Sequence, residues 1–322
     1  MGFLVYIPQD IEEEGKRFLA EKGYEYKIGS DLSQESLIRD VEDCDAILTR
    51  SNAMITEEVI KAGKKLKVIA KYGVGLDNID IEAATKRGIY VTNTPEANAN
   101  VVAEHVMAFM LALSKNLLPM DQELRKGNFA FRREMFSVDL DQKTLGIIGL
   151  GRIGRLVAKK ARHGFDMRVI GYDPYLSSSV PDIELVDNLD QLFRESDFVS
   201  LHLPLTDTTK GIIGTREFAL MKTSAYFINA ARGGVVNESD LADALKRGEI
   251  AGAGIDVFEQ EPPNKDNPLF KLENVIVTPH SAALSKEGAG RMSLHAAMQV
   301  DQVLNGQNPK WAVNEIKTEK QV

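Results

Sequence analysis

Cysteine is all but missing from this sequence, with Cys44 the only one in 322 residues. A lone thiol excludes an internal disulfide and any zinc cage built from cysteine thiolates. Long apolar runs are missing too. The richest, Val106–Leu113, falls far short of the roughly 20 residues that cross a bilayer. The opening MGFLVYIPQDIEEEGK has no basic flank, and its apolar run is too short for a signal sequence, so no secretory leader is expected. Positive charge is in deficit, with 39 basic against 47 acidic side chains and a net charge of −8. Such a surface repels nucleic acid and anionic lipid, so neither is an expected partner. There is no solenoid-period repeat and no low-complexity tract. These absences predict a cytoplasmic chain, long enough for two domains that each bury a core.

What is present is alternation. Phe3–Ile7, Tyr24–Ile28, Ala46–Leu48, Val68–Ala70 and Ile89–Val91 are predicted strands. Helical stretches such as Asp10–Lys22 and Thr56–Ala62 lie between them, the second opened by Thr56 as an N-cap. A second series comprises Thr144–Ile148, Arg168–Gly171, Phe198–Leu203, Ala225–Asn229, Gly252–Val257 and Val275–Thr278. Strand, helix, strand in regular succession predicts βαβ units and parallel sheets, here two doubly wound α/β domains. Ala97–Leu113 reads as one long apolar helix and residues 116–142 as irregular chain. Lys286–Leu304 reads as the last helix, and Lys317–Val322 as frayed.

The sharpest motif is Gly149-Leu150-Gly151-Arg152-Ile153-Gly154 between a strand and a helix. Gly149 permits the tight turn, Gly151 lets the backbone approach a pyrophosphate, and Gly154 lets the helix pack closely. The helix N-terminus then aims amide N–H groups at the phosphates. Asp173 follows the next strand, 19 residues after Gly154, where a carboxylate accepts hydrogen bonds from an adenosine ribose. It would repel a 2′-phosphate, and Pro174-Tyr175 follows in place of an arginine, so NAD is favoured over NADP.

Other residues at predicted strand ends carry chemistry. Arg232 follows Ala225–Asn229, where a guanidinium suits a bidentate carboxylate clamp as well as an ordinary surface acid. Of five histidines, His105 and His295 fall in helical patterns, His163 in a turn, and His202 at a strand end. His280 follows Val275–Thr278, and Glu261 also falls beyond a strand, so the two can meet as a hydrogen-bonded pair. A carboxylate there would orient the imidazole and stabilise its protonated form. Val74-Gly75 suits carboxylate capture by backbone N–H groups, or a simple strand-to-helix turn. Arg50 and Lys71 follow two further strands and are candidates for a second anionic group on a ligand, or for ordinary surface bases.

Several segments occur in a telling order: Lys71-Tyr72-Gly73-Val74-Gly75-Leu76-Asp77-Asn78-Ile79-Asp80, Asn93-Thr94-Pro95-Glu96-Ala97-Asn98, the glycine-rich turn, Asn229-Ala230-Ala231-Arg232-Gly233-Gly234, Gly254-Ile255-Asp256-Val257-Phe258, Glu261-Pro262 and Thr278-Pro279-His280. From about residue 45 to 315 the chain resembles the D-2-hydroxyacid dehydrogenase family. The resemblance implies a Rossmann NAD-binding domain, 98–286, inserted into a flavodoxin-like substrate domain, 1–97 with 287–322. It implies a substrate held in the cleft between them, which closes to exclude water. Arg232, Glu261 and His280 would be the catalytic set. Gly149, Gly151, Arg152, Ile153, Gly154, Asp173, Pro204, Ala230 and Asp256 would hold the cofactor, with Asp256 at the nicotinamide carboxamide. Arg50, Lys71, Val74, Gly75 and Arg232 would hold substrate. The implied activity is NAD-dependent oxidation or reduction at C2 of a small acid such as 3-phosphoglycerate, hydroxypyruvate or glyoxylate, in a homodimer without a metal. A C-terminal regulatory domain is not expected. A relative that oxidises formate carries glutamine where Glu261 stands, which speaks against that activity. The alternative implied by the same likeness is an NAD-sensing scaffold or corepressor.

Overall fold

The computed structural model describes residues 2–176 and 178–316, so the predicted fraying of Lys317–Val322 lies outside the described residues. The chain forms two compact units, Met1–Asn98 with Leu284–Val322, and Ala99–Ala283.

The first unit contains β1 (Leu4–Ile7), β2 (Glu25–Ile28), β3 (Ala46–Thr49), β4 (Val68–Lys71) and β5 (Tyr90–Thr92). All pair in parallel, in the order β2-β1-β3-β4-β5. That is the flavodoxin-like order, whose ligand-binding switch point lies between β1 and β3. The linking helices are α1 (Glu13–Glu21), α2 (Gln34–Val41), α3 (Glu57–Ala62) and α4 (Ile81–Lys86). β3 and β4 are buried along their whole length, as parallel strands covered on both faces must be. Alternate residues divide between two core layers. Val5, Leu48 and Ala70 pack with Met292 and Val300 of helix Lys286–Leu304, whereas Ile47, Ile69 and Val91 pack with Leu37 and Ile60. That last helix begins where Ser285 caps it, its hydroxyl accepting from the Gly288 N–H at 2.9 Å. Thr56 precedes α3 but does not cap it, because its hydroxyl donates instead to Gln34 Oε1 at 2.9 Å.

The second unit opens with α5 (Ala99–Ser114) and α6 (Leu117–Arg125). Then follow β6 (Thr144–Ile148), α7 (Arg152–Phe165), β7 (Arg168–Tyr172), β8 (Glu184–Leu185), α8 (Leu189–Glu195) and β9 (Phe198–Leu201). The unit closes with α9 (Thr215–Leu220), β10 (Tyr226–Asn229), α10 (Glu238–Lys246), β11 (Gly252–Ile255) and β12 (Val275–Val277). The seven strands are parallel, in the order β12-β11-β10-β9-β6-β7-β8. The order reverses between β6 and β9, which places a ligand site at their carboxyl ends.

Several sequence expectations are corrected here. Residues 116–142 are not wholly irregular, since they hold α6 and a 3₁₀ turn, Phe129–Arg133. No residue of α6 is buried, so no core-facing stripe betrays it in the sequence. His163 lies in the last turn of α7, not in a loop, and its Nε2 is 2.9 Å from Asp182 Oδ2. The edge strand β8 has only two residues, too few to show a period. Among the described residues no single helix is long and apolar enough to cross a membrane. α5 and α6 together would be, but they are bent by 57°, and nine residues of α5 are buried, six of them in the second unit's core.

Candidate active site

The glycine-rich turn sits at the reversal of the second sheet. Gly149 has φ +92°, a left-handed conformation that disfavours side chains, and a Cβ there would lie 2.8 Å from the His202 carbonyl oxygen beyond β9. A Cβ on Gly154 would lie 2.3 Å from the Gly149 carbonyl oxygen, so the first turn of α7 can rest on the loop only as glycine. Gly151 differs. A Cβ there meets nothing within 4 Å, so this glycine keeps a clear approach to the N-terminus of α7. Asp173, just past β7, is turned toward the same loop, its Oδ2 accepting from Leu150 N–H at 3.0 Å and its Oδ1 from Tyr175 N–H at 3.1 Å.

A glycine with clear space around it, a helix N-terminus and a carboxylate past the second strand fit a dinucleotide. Arg152 and Ile153 form the first turn of α7, Arg152 exposed and Ile153 half-buried. Across the reversal, Pro204 is exposed in the loop after β9 and its carbonyl accepts from the Thr209 hydroxyl at 2.6 Å. His202 opens that loop, with Nε2 2.9 Å from Ser200 Oγ. Burial pulls its pKa down to about 4, which keeps the ring neutral.

Three further strand ends converge in the same unit. After β10, half-buried Ala230 leads to Arg232, whose Nη1 donates to the Ala231 carbonyl at 2.7 Å. Buried Asn229 shapes this turn from within, its amide donating to the Arg232 carbonyl at 3.0 Å and its Oδ1 accepting from Ala231 N–H at 3.0 Å. Gly233 fixes the turn from outside. A Cβ on it would come within 2.0 Å of the Phe258 carbonyl group, so the loops after β10 and β11 touch backbone to backbone. The second of these loops carries Glu261, joined to Pro262 by a cis peptide bond. Glu261 Oε1 accepts from Phe258 N–H at 3.1 Å, and its Oε2 lies 2.7 Å from His280 Nδ1.

The electrostatics follow from that contact. The hydrogen bond to Glu261 raises the His280 pKa above the ordinary histidine value, with partial burial opposing it and the Asp256 charge assisting. For Glu261, burial pushes upward but is outweighed by the bonds from His280 and Phe258, leaving the pKa lowered. The Arg232 charge reaches both groups, holding Glu261 down and opposing protonation of His280. Arg232, Glu261 and His280 are therefore one electrostatic cluster. Asp256 lies beneath it, 1% exposed, with Oδ1 accepting from the Thr278 hydroxyl at 2.5 Å and from Ser281 N–H at 2.8 Å. Its Oδ2 accepts from Ala282 N–H at 2.9 Å.

In the first unit, Arg50 stands at the sheet's own switch point. Its guanidinium lies 4.6 Å over the Tyr72 ring, Nη1 donates to the Asp10 carbonyl at 3.2 Å, and Glu12 is 3.7 Å away. Lys71 ends β4 as expected but is only 2% exposed, not a surface base. Its Nζ donates to Asn78 Oδ1 at 2.6 Å, and the Asn78 amide donates to the carbonyls of Arg50 and Ala53. Lys71 thus sits under the loop that carries Arg50. Val74 is exposed and Gly75 half-buried, in a turn held by Gly73 N–H donating to Thr94 Oγ1 at 2.9 Å.

Sequence reasoning named no role for Asn229, Gly233, Asn78 or Thr278. All four lie inside quoted motifs, but the partners they meet, backbone groups for Asn229 and Gly233 and residues from other turns for Asn78 and Thr278, are displayed by no residue pattern.

Comparison with known proteins gives consistent results. Residues 107–282 match the model described as D-isomer specific 2-hydroxyacid dehydrogenase, NAD binding domain. The D-3-phosphoglycerate dehydrogenase of Methanocaldococcus jannaschii is 43% identical over 313 residues, 96% of this chain. The chain spans only 59% of that relative's length. The glyoxylate reductase of Korarchaeum cryptofilum is 40% identical over 320 residues, covering 97% of this chain and 96% of the relative. Among solved structures, the TT0316 protein of Thermus thermophilus superposes with a TM-score of 0.90 at 34% identity, covering 97% of this chain and all of that one.

Proposed function

The chain belongs to the D-2-hydroxyacid dehydrogenase family, and we propose that it transfers a hydride between NAD(H) and C2 of a small 2-hydroxy or 2-keto acid. The observation that carries this reading is the 2.7 Å contact between Glu261 and His280 inside the field of Arg232. Bound NAD(H) supplies the hydride donor or acceptor. In reduction, protonated His280 gives its proton to the carbonyl oxygen while Glu261 keeps the ring oriented and its charge stabilised. In oxidation, neutral His280 takes the hydroxyl proton. Arg232 holds the carboxylate and polarises the carbonyl. Gly149, Gly151, Arg152, Ile153 and Gly154 would cradle the pyrophosphate, and Asp173 the ribose, with NAD preferred over NADP. Pro204, Ala230 and Asp256 would line the rest of the cofactor.

Among substrates, 3-phosphoglycerate, hydroxypyruvate and glyoxylate fit best, the first and last being the acids named for the two relatives. We assign Val74 and Gly75 to the substrate carboxylate and Arg50 to the rest of the molecule. Lys71 serves that site from below, because its ammonium is already engaged by Asn78. A homodimer is supported by apolar side chains exposed on one short segment: Leu117 at 54%, Phe129 at 64% and Phe136 at 82%. The charge balance and short apolar runs support a cytoplasmic location.

A panel of 2-keto acids, each mixed with NADH and followed by loss of nicotinamide absorbance, tests the proposal. Turnover with at least one of glyoxylate, hydroxypyruvate or phosphohydroxypyruvate is expected. Tight NADH binding without turnover of any acid would favour the scaffold alternative.

A further inference from the structure

His280 is held in an unusual backbone state, and the groups that hold it lead back to a residue far away in the chain. Its φ is +50°, left-handed for a residue with a side chain, a strained state that persists only where the surroundings enforce it. The enforcement comes from Asp256. The Asp256 carbonyl accepts from His280 N–H at 2.7 Å, and the Asp256 carboxylate accepts from Ser281 N–H, Ala282 N–H and the Thr278 hydroxyl. At 2.5 Å the hydroxyl bond is the shortest of these, as suits a charge-assisted O–H donor.

A hydroxyl has one proton. Since Thr278 gives its proton to Asp256, its oxygen can only accept from its other neighbour, His105 Nε2, 3.1 Å away on α5. His105 must therefore carry hydrogen on Nε2. Its ring is set edge-on against Phe109, with centroids 4.6 Å apart and planes at 85°, so the Nε2 side has a fixed direction. The same nitrogen lies 4.0 Å from Asp256 Oδ1, and His105 keeps 24% of its side chain exposed. An Nε2–H donor at this point keeps the Thr278 lone pairs occupied and its proton committed to Asp256.

We propose that His105 is a positioning residue for the acid–base histidine, acting through Thr278 and Asp256 on the loop that carries His280. This rests on the dehydrogenase reading only for its kinetic consequence. The linkage itself is a property of the second unit. Losing the His105 donor frees Thr278 to turn away, the left-handed turn loosens, and the Glu261–His280 contact lengthens.

The test uses His105→Leu, His105→Gln, Thr278→Val and Thr278→Ser in the full chain, with NADH and glyoxylate as probes. His105→Leu should lower kcat roughly 2- to 10-fold, the effect of one neutral hydrogen bond, and Thr278→Val roughly 10- to 100-fold, because the bond it removes ends on a charge. Both should move the alkaline limit of reduction to lower pH. Both should also make the His280 ring, followed by NMR, titrate at lower pH. Gln presents an amide N–H in place of Nε2–H, and Ser retains the hydroxyl, so each should restore most of its loss. Should His105→Leu fail to fold, Thr278→Val carries the same comparison. An unchanged His280 titration in both disruptive variants would overturn the proposal. So would a His105→Gln no better than His105→Leu, which would reduce His105 to a ring packed on Phe109. If the wild type reduces no acid, yet the His280 titration responds as stated, the dehydrogenase reading fails and the linkage stands.

Discussion

Two adjacent glycines should respond to the same substitution in opposite ways. A Cβ on Gly233 would lie 2.0 Å from the Phe258 carbonyl carbon and oxygen and 2.6 Å from Glu259 N, all backbone atoms. Ordinary contact begins near 3.4 Å, so the loops after β10 and β11 would have to separate by about 1.4 Å. They resist, because Glu238 N–H donates to Glu259 Oε1 at 2.8 Å while Glu259 N–H donates back to Glu238 Oε1. Overpacking against fixed atoms costs about 1–3 kcal/mol. The functional cost is larger, since Arg232 rides on one loop and Glu261 on the other, and a misplacement near 1 Å can cost about 100-fold in rate. A Cβ on Gly234 meets only the Leu205 side chain, at 3.2 Å, and a flexible leucine can yield. Gly233→Ala should therefore lower kcat by about two orders of magnitude and reduce the denaturation midpoint. Gly234→Ala should change either only slightly. Steady-state kinetics and urea melts on both proteins decide the matter. A fully active Gly233→Ala, or equal losses in the two, would refute the contact argument.

Asp173→Ala removes the ribose acceptor and the repulsion of a 2′-phosphate, so KM for NADH should rise and the preference over NADPH should narrow; an unaltered ratio would exclude Asp173 from ribose recognition. In Glu261→Gln the main cause of the raised His280 pKa is lost. Protonated His280 then disappears at lower pH, so the alkaline limit of keto-acid reduction should move down and oxidation should extend to lower pH. An unmoved profile would leave Glu261 a loop carboxylate. Lys71→Met leaves buried Asn78 Oδ1 without its ammonium donor, which should cost about 1–3 kcal/mol of stability. Its kcat/KM should fall alike for glyoxylate and phosphohydroxypyruvate, and a selective loss with the phosphorylated acid would show direct contact.

Strand ends were the most legible feature of the sequence. In open α/β sheets chemistry gathers at carboxyl edges, so placing the apolar runs also placed Arg232 and His280. The Glu261–His280 pair was legible for the same reason, as two side chains beyond two strands. Lys71 shows the limit. Its strand position could be read, but its burial depends on Asn78, which reaches it through a turn. α6 escaped because it buries nothing, and helical periodicity is a record of burial. The His105–Thr278 contact joins residues 173 apart, and no local pattern encodes such a pair. Gly233 was visible as a glycine, yet the carbonyl it accommodates was not.

If His280 moves the proton and the glycine-rich turn holds the cofactor independently, removing the imidazole should separate chemistry from binding. Wild type and His280→Ala are compared in two assays on the same preparations, NADH binding by fluorescence and keto-acid turnover by nicotinamide absorbance. NADH affinity should be unchanged and turnover lowered by roughly 10²–10⁴-fold, the scale of general acid–base catalysis. Undiminished turnover in His280→Ala would contradict the role given to His280.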